Sequence, residues 1–296
     1  MKHTIFTGAA VALVTPFHAD GSVNYEKLAW LIDDQIAHGT DALVIAGTTG
    51  ESSTLSEAEH SDVIRFAVKH TAKRVPVIAG TGSNATHTAV MLSKEAEEAG
   101  ADALLLVTPY YNKTTQNGLY EHYRTIAEAV SLPIILYNVP SRTGMTIEVA
   151  TAARLAEIDN IAAMKDAVGN ITYTANLIEA CGDKLDVYSG NDDQIVPMMS
   201  LGAKGVISVL SNVLPQETHD LCAAALAGDY KTAAALQLKY LKLIHALFIE
   251  TNPIPVKEAM NLMGLEAGPC RMPLYQMAEK NREVLRAELA KHGLMK

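Results

Sequence analysis

One lysine stands inside an apolar run, Ile161-Ala162-Ala163-Met164-Lys165-Asp166-Ala167. A lysine at a strand end ordinarily lays its stem along apolar surface and keeps its ammonium in water. Within a closed β-barrel the outcome differs, because burial disfavours the charged form and lowers its pKa. At an unperturbed ~10.4 about one amine in 2,500 is free at pH 7, whereas at ~7–8 a useful fraction is. A drop of about 3 units corresponds to roughly 4 kcal/mol of nucleophile activation. A free amine attacks a ketone to give an imine, an electron sink for chemistry at carbon–carbon bonds.

Other polar groups cluster at the ends of neighbouring apolar runs. Tyr137 closes one of them; it reads either as a core aromatic with a satisfied hydroxyl or as a proton carrier beside Lys165. Thr48-Thr49, after Gly47, offers hydroxyls and backbone N–H groups suited to a carboxylate, or simply caps a loop. Arg142 follows the tyrosine run closely and, apart from Lys165 and Lys113, is the cation near these ends. Its fork suits bidentate carboxylate recognition, although a surface ion pair is the default for an isolated arginine. Tyr110-Tyr111 ends another run and can equally be interface packing, while Ser189-Gly190-Asn191-Asp192 ends a further one.

The elements that must position these groups repeat along the chain. Apolar runs at 9–17, 41–47, 75–80, 101–109, 132–140, 161–167, 185–190 and 205–210 alternate with amphipathic stretches. Runs apolar throughout are what parallel strands covered on both faces require. Helical periodicity marks 25–38, where Leu28, Leu31, Ile32 and Ile36 form a stripe, and 85–99, with Gly100 at the expected stop. Ser56-Glu57-Ala58-Glu59 has the capping-box form that opens a helix. Strand–helix units of this number with short connections predict an α/β fold, a (β/α)8 TIM barrel over 1–225, whose active site sits at the C-terminal strand ends. From about Gln216 to Leu294 the chain reads as helix throughout, with breaks at Pro253, Pro255 and Pro273. This predicts a C-terminal helical extension over 226–296, packed on the barrel or on a partner subunit.

Bulk properties exclude several classes. A net charge of −9 and no Lys/Arg stripe argue against a nucleic-acid surface. Cys181, Cys222 and Cys270 are far apart and lack CxxC spacing, so neither a disulfide framework nor a zinc site is expected, and a reducing cytoplasm is the natural home. Lys2 precedes an apolar stretch, but Thr4, Thr7 and Thr15 interrupt it; a buried first strand is the better reading than a signal peptide. The 10 histidines fall mostly on helices or termini and no pair shares a strand end, which disfavours a metal-dependent hydrolase. Gly80-Thr81-Gly82-Ser83-Asn84-Ala85 matches a dinucleotide fingerprint in outline. It follows the third run, however, and Asp102 opens the next strand where an acidic residue should end one.

Taken together, Gly47-Thr48-Thr49-Gly50-Glu51, Tyr137-Asn138-Val139-Pro140-Ser141-Arg142-Thr143-Gly144 and Lys165-Asp166-Ala167 resemble the signatures of the dihydrodipicolinate synthase family. That family lies within the pyruvate-dependent, class I aldolase superfamily that includes N-acetylneuraminate lyase. The likeness spans nearly the whole chain, including Asn252-Pro253-Ile254-Pro255-Val256-Lys257. The resemblance implies condensation of pyruvate with L-aspartate 4-semialdehyde, followed by cyclisation, in lysine and diaminopimelate biosynthesis. It implies that Lys165 carries the pyruvate imine and that Tyr137, Thr48 and Tyr111 form a proton relay, Tyr111 crossing from a neighbouring subunit. Thr48 and Thr49 would hold the pyruvate carboxylate and Arg142 that of the semialdehyde, with Gly190 and the Ile207 carbonyl lining the pocket. A homotetramer built from two tight dimers is implied, as is the absence of a metal or organic cofactor.

Two other readings stay open at the level of sequence: a different pyruvate aldolase of the sugar-acid type, and a catalytically inactive barrel subunit. A pyridoxal-phosphate enzyme also uses a lysine imine, yet no glycine-rich phosphate cradle follows the seventh and eighth runs. Ser52, His60, Asn84 and Tyr110 fit the interface cleft where lysine-inhibited members of the family bind L-lysine. Glu57 stands where regulated members often have His, and Thr88 where they have Glu. The ligand's ammonium would lose a carboxylate partner at Thr88, so weak or absent lysine feedback is expected.

Overall fold

The computed structural model describes residues 2–295. Its strands are β1 Gly8–Ala12, β2 Ala42–Ile45, β3 Val77–Gly80, β4 Ala103–Val107, β5 Ile134–Asn138, β6 Ile161–Asp166, β7 Asp186–Ser189 and β8 Gly205–Ser208. They pair in parallel and in chain order, β8 returning to β1, to close a barrel. Every predicted apolar run holds one strand. The runs overshoot the strands at their C-terminal ends because the loops there are buried too, as at Val14, Thr15 and Phe17 after β1.

Closure depends on two glycines. Gly8 of β1 faces Gly205 of β8 in register. A Cβ on Gly205, which has φ +152°, would fall 1.8 Å from the Gly8 carbonyl oxygen. Only glycine lets the two backbones approach so closely. Alternate strand side chains then fill two layers. Ala10, Val44, Ile78, Leu105, Ile135 and Ile207 pack inside the barrel, while Val11, Leu43, Leu104, Leu136, Met164 and Val206 pack outward against the helices.

Between the strands run α1 Tyr25–Ala37, α2 Glu57–Thr71, α3 Thr86–Glu98, α4 Gln116–Ala129, α5 Pro140–Thr143, α6 Val149–Leu155, α7 Ile171–Cys181 and α8 Ile195–Ser200. The predicted capping box opens α2, with Ser56 and Glu59 bonding each other's backbone N–H. Leu28, Leu31 and Ile32 form the buried stripe of α1, and Gly100 follows α3 with φ +87°.

Beyond β8 come α9 Pro215–Leu226, α10 Tyr230–Ala246, α11 Ile254–Leu262 and α12 Glu279–Lys291. Here the expectation of helix throughout needs correction. Residues 264–278 form no helix, since Gly264 and Gly268 adopt positive φ and Pro269 and Pro273 supply no amide for a helical ladder. Pro255 does not break α11 but sits in its first turn, where no intrahelical donor is lost. α10 lies against α8 and α9, and α12 against α10 and α11, so the extension packs on the barrel. Among the described residues no helix is long and apolar enough to cross a membrane.

Candidate active site

Lys165 on β6 lies in register between Tyr137 of β5 and Tyr188 of β7. Its side chain is shut inside the barrel mouth, and its Nζ stands 4.4 Å from the centroid of the Tyr137 ring. Burial brings its pKa down to about 8; the Asp192 charge opposes the fall and Arg142 adds to it. Among the described residues Lys165 has no ion-pair partner, so nothing fixes the ammonium form in place. Burial likewise raises the Tyr137 phenol above its ordinary value, while Arg142 and a contact with the Thr48 hydroxyl pull it down. A neutral phenol beside a partly deprotonated amine can pass a proton in either direction.

These side chains open into a cavity of about 480 Å³, within the range of small-molecule sites. Lys165, Tyr137, Thr48, Thr49, Arg142 and Gly190 all line it, so the structure gathers six of the predicted site residues around one space. Phe248, Glu250, Thr251 and Asn252, between α10 and α11, form its rim. The C-terminal extension is thus part of the site.

The loop carrying the threonines is pinned from that side. Asn252 Nδ2 donates to Thr49 Oγ1 at 2.8 Å, leaving the threonine's own proton available to a ligand anion. The Asn252 carbonyl accepts from an Arg142 nitrogen at 3.1 Å. One residue thereby ties both candidate carboxylate sites together. Glu51, at the end of the same loop with φ +56°, is buried and accepts from Lys257 Nζ at 2.8 Å and from the Arg271 amide at 2.9 Å. Lys257 Nζ also donates to the carbonyls of Thr15 and Pro269. The Arg142 turn is fixed from below: Asn138 Oδ1 accepts from the Ile147 amide, and the Tyr173 hydroxyl donates to the Ile147 carbonyl at 2.6 Å.

Some predicted residues lie elsewhere. Tyr111 contributes nothing to this cavity; it is 91% exposed, with φ +70°. The Ile207 side chain is buried in the inner barrel layer, and Val209, two residues nearer the loops, lines the cavity. Ser52, His60 and Tyr110 line a second cavity of about 350 Å³ with Glu57 and Thr88, which Thr48 and Arg142 border from the other side. Asn84 is not on that lining; its carbonyl accepts from Asn112 Nδ2. Sequence reasoning gave no role to Asn252, Glu51, Lys257 or Asp192. The resemblance covered the segment holding Asn252 and Lys257, but only a fold joins residues some 200 positions apart. Among the described residues no group of three or more His, Cys, Asp or Glu side chains is placed to hold a metal ion.

Comparison with known proteins agrees with this geometry. The model of the "Dihydrodipicolinate synthetase family" matches residues 5–292. The chain belongs to that family. It is 60% identical over 292 residues to the 4-hydroxy-tetrahydrodipicolinate synthase of Lachnoclostridium phytofermentans, covering 98% of this chain and 99% of that one. It is 56% identical to the enzyme of the same name from Acetivibrio thermocellus, covering all of both chains. A crystal structure of chloride-inhibited dihydrodipicolinate synthase from Acinetobacter baumannii, complexed with pyruvate, is 50% identical, superposes with a TM-score of 0.96 and covers 99% of this chain and 100% of that one. The activity is accordingly that of a lyase, 4-hydroxy-tetrahydrodipicolinate synthase activity, in lysine and diaminopimelate biosynthesis.

Proposed function

We propose that Lys165 captures pyruvate as an imine and that the enzyme condenses it with L-aspartate 4-semialdehyde. The carrying observation is a buried amine, without an ion-pair partner among the described residues, 4.4 Å from the centre of the Tyr137 ring in a cavity that Thr48, Thr49 and Arg142 also line. The Lys165 lone pair attacks C2 of pyruvate, and the carbonyl oxygen takes up protons and leaves as water. Tyr137 and Thr48 shuttle those protons. Loss of a methyl proton gives the enamine, whose terminal carbon attacks the aldehyde. The product's amino group then closes on C2 and displaces the lysine, which regenerates the free amine.

Thr48 and Thr49 hold the pyruvate carboxylate and Arg142 that of the semialdehyde, with Gly190 against the bound chain. The imine is itself the electron sink, so the reaction requires neither metal nor organic cofactor. Tyr111 completes the relay from a second copy of the chain, which its 91% exposure leaves it able to reach, and the assembly is a tetramer of two such pairs in the cytoplasm. Borohydride reduction in the presence of pyruvate, followed by peptide mass mapping, tests the central step. An adduct on Lys165 is expected; active protein without one rejects the reading.

A further inference from the structure

The strap 248–252 between α10 and α11 edges the cavity around Lys165 and is fixed at three points. The Asn252 side chain reaches Thr49 and its carbonyl reaches Arg142. Two residues earlier, Glu250 Oε1 accepts from the Ala278 amide at 3.0 Å and from Asn281 Nδ2 at 2.7 Å, where α12 begins. Oε2 has no hydrogen bond and is not shut off from solvent. The half-buried carboxylate has no ion-pair partner among the described residues. Anchoring α12 uses one oxygen, and the carbonyl oxygen of a glutamine would accept the same two bonds. The charge and the second oxygen have no use in that contact.

They have one in the cavity. Among the described residues on its lining, Lys165 and Arg142 are the cations and Glu250 is the sole acid. In the reaction read above, pyruvate brings a carboxylate, which Thr48 and Thr49 receive. The second substrate is an α-amino acid ending in an aldehyde, so it brings both a carboxylate and an ammonium. With the carboxylate on Arg142, the ammonium is one carbon away and lies close to a like charge. An ammonium taken out of water there needs an anionic acceptor. The strap supplies it from the same side, since its Asn252 carbonyl is 3.1 Å from the Arg142 nitrogen.

Resting on that reading of the reaction, we propose that Glu250 determines specificity for the second substrate. Its free oxygen receives the α-ammonium of the amino aldehyde while Arg142 receives the carboxylate.

The test is the single-turnover rate at which an aldehyde consumes the pyruvate imine on Lys165, read by mass after a borohydride quench. L-Aspartate 4-semialdehyde is compared with its deamino analogue, 4-oxobutanoate. Carbon–carbon bond formation precedes every step that uses the amine, so the comparison reads recognition alone. Wild type is expected to half-saturate at a ~10-fold lower concentration of the amino aldehyde, the size of one charge-assisted contact. Glu250→Gln keeps the anchor on α12; it is expected to remove that ~10-fold preference and to leave the rate with 4-oxobutanoate near that of wild type. Equal loss with both aldehydes, or loss with neither, means that Glu250 only anchors α12 and overturns the inference alone. Wild-type protein that forms no pyruvate adduct overturns the imine reading and the inference with it. Should E250Q not give folded protein by circular dichroism, wild type decides: a ~10-fold preference supports the inference and equal half-saturation overturns it.

Discussion

Lys257 of α11 and Glu51 of the β2 loop form an ion pair at 2.8 Å with 2% and 0% of their side chains exposed. This contact joins the C-terminal extension to the loop that carries Thr48 and Thr49. Burial lowers the Lys257 pKa while Glu51 raises it. Removing one partner leaves a charge uncompensated in the interior, which typically costs about 3–5 kcal/mol. Lys257→Met is therefore expected to lose stability of that order in urea denaturation and to raise KM for pyruvate as the threonine loop loosens. The double variant Glu51→Gln, Lys257→Met should recover much of the stability and little of the KM. Equal recovery of both would show that the pair holds the fold and not the loop.

Tyr137→Phe separates packing from proton transfer. The ring beside Lys165 stays and the hydroxyl goes. General acid–base groups contribute about 10²–10⁴-fold, so kcat is expected to fall within that range with the melting temperature nearly unchanged. Trapping should still label Lys165, more slowly. Undiminished turnover would assign the proton transfers to another group.

How much of this was legible in the sequence follows from what each contact requires. The strands were visible because a strand covered on both faces must be apolar at every position, and Lys165 and Tyr137 stood out as polar exceptions in such runs. The capping box of α2 was visible because its two partners lie three residues apart. Asn252 on Thr49, Lys257 on Glu51 and Asp192 under the end of β8 were not. Each joins segments that only barrel closure brings together, and no spacing encodes that. Within 264–278 only Pro273 was read as a break, whereas Gly264 and Gly268, both at positive φ, and Pro269 also interrupt helical backbone there.

The Lys165 pKa also makes a statement about stability. Folding lowers it from 10.5 to about 8, so between those values the unfolded chain holds a proton that the folded chain has released. Where the unfolded state binds more protons, stability rises with pH. Below about pH 8 the folded state bears the whole cost of a buried ammonium, about 3 kcal/mol for a shift of this size. Lys165→Met is thus expected to be inactive and yet more stable than wild type at pH 7, by up to that amount, with the advantage shrinking from pH 8 to pH 10.5. Chemical denaturation at several pH values checks this. A constant difference across the range would mean that the amine does not titrate as the geometry demands.

The lining of the second cavity predicts a weak response to L-lysine. That ligand brings two ammonium groups and one carboxylate, and each needs a partner when it is desolvated. His60 is buried there, its Nε2 2.8 Å from the Gly80 carbonyl, and burial lowers its pKa, so at neutral pH it contributes no charge. Thr88 brings only a hydroxyl to the lining. Glu57 is on the lining but exposed, where an ion pair contributes about 0–1 kcal/mol. Steady-state turnover is therefore expected to keep at least half its rate at about 1 mM L-lysine, a binding free energy no more favourable than roughly −4.1 kcal/mol. Thr88→Glu should introduce or sharpen inhibition without changing turnover in lysine-free buffer. Strong inhibition of the wild type at micromolar lysine would show that Glu57 supplies the missing carboxylate despite its exposure.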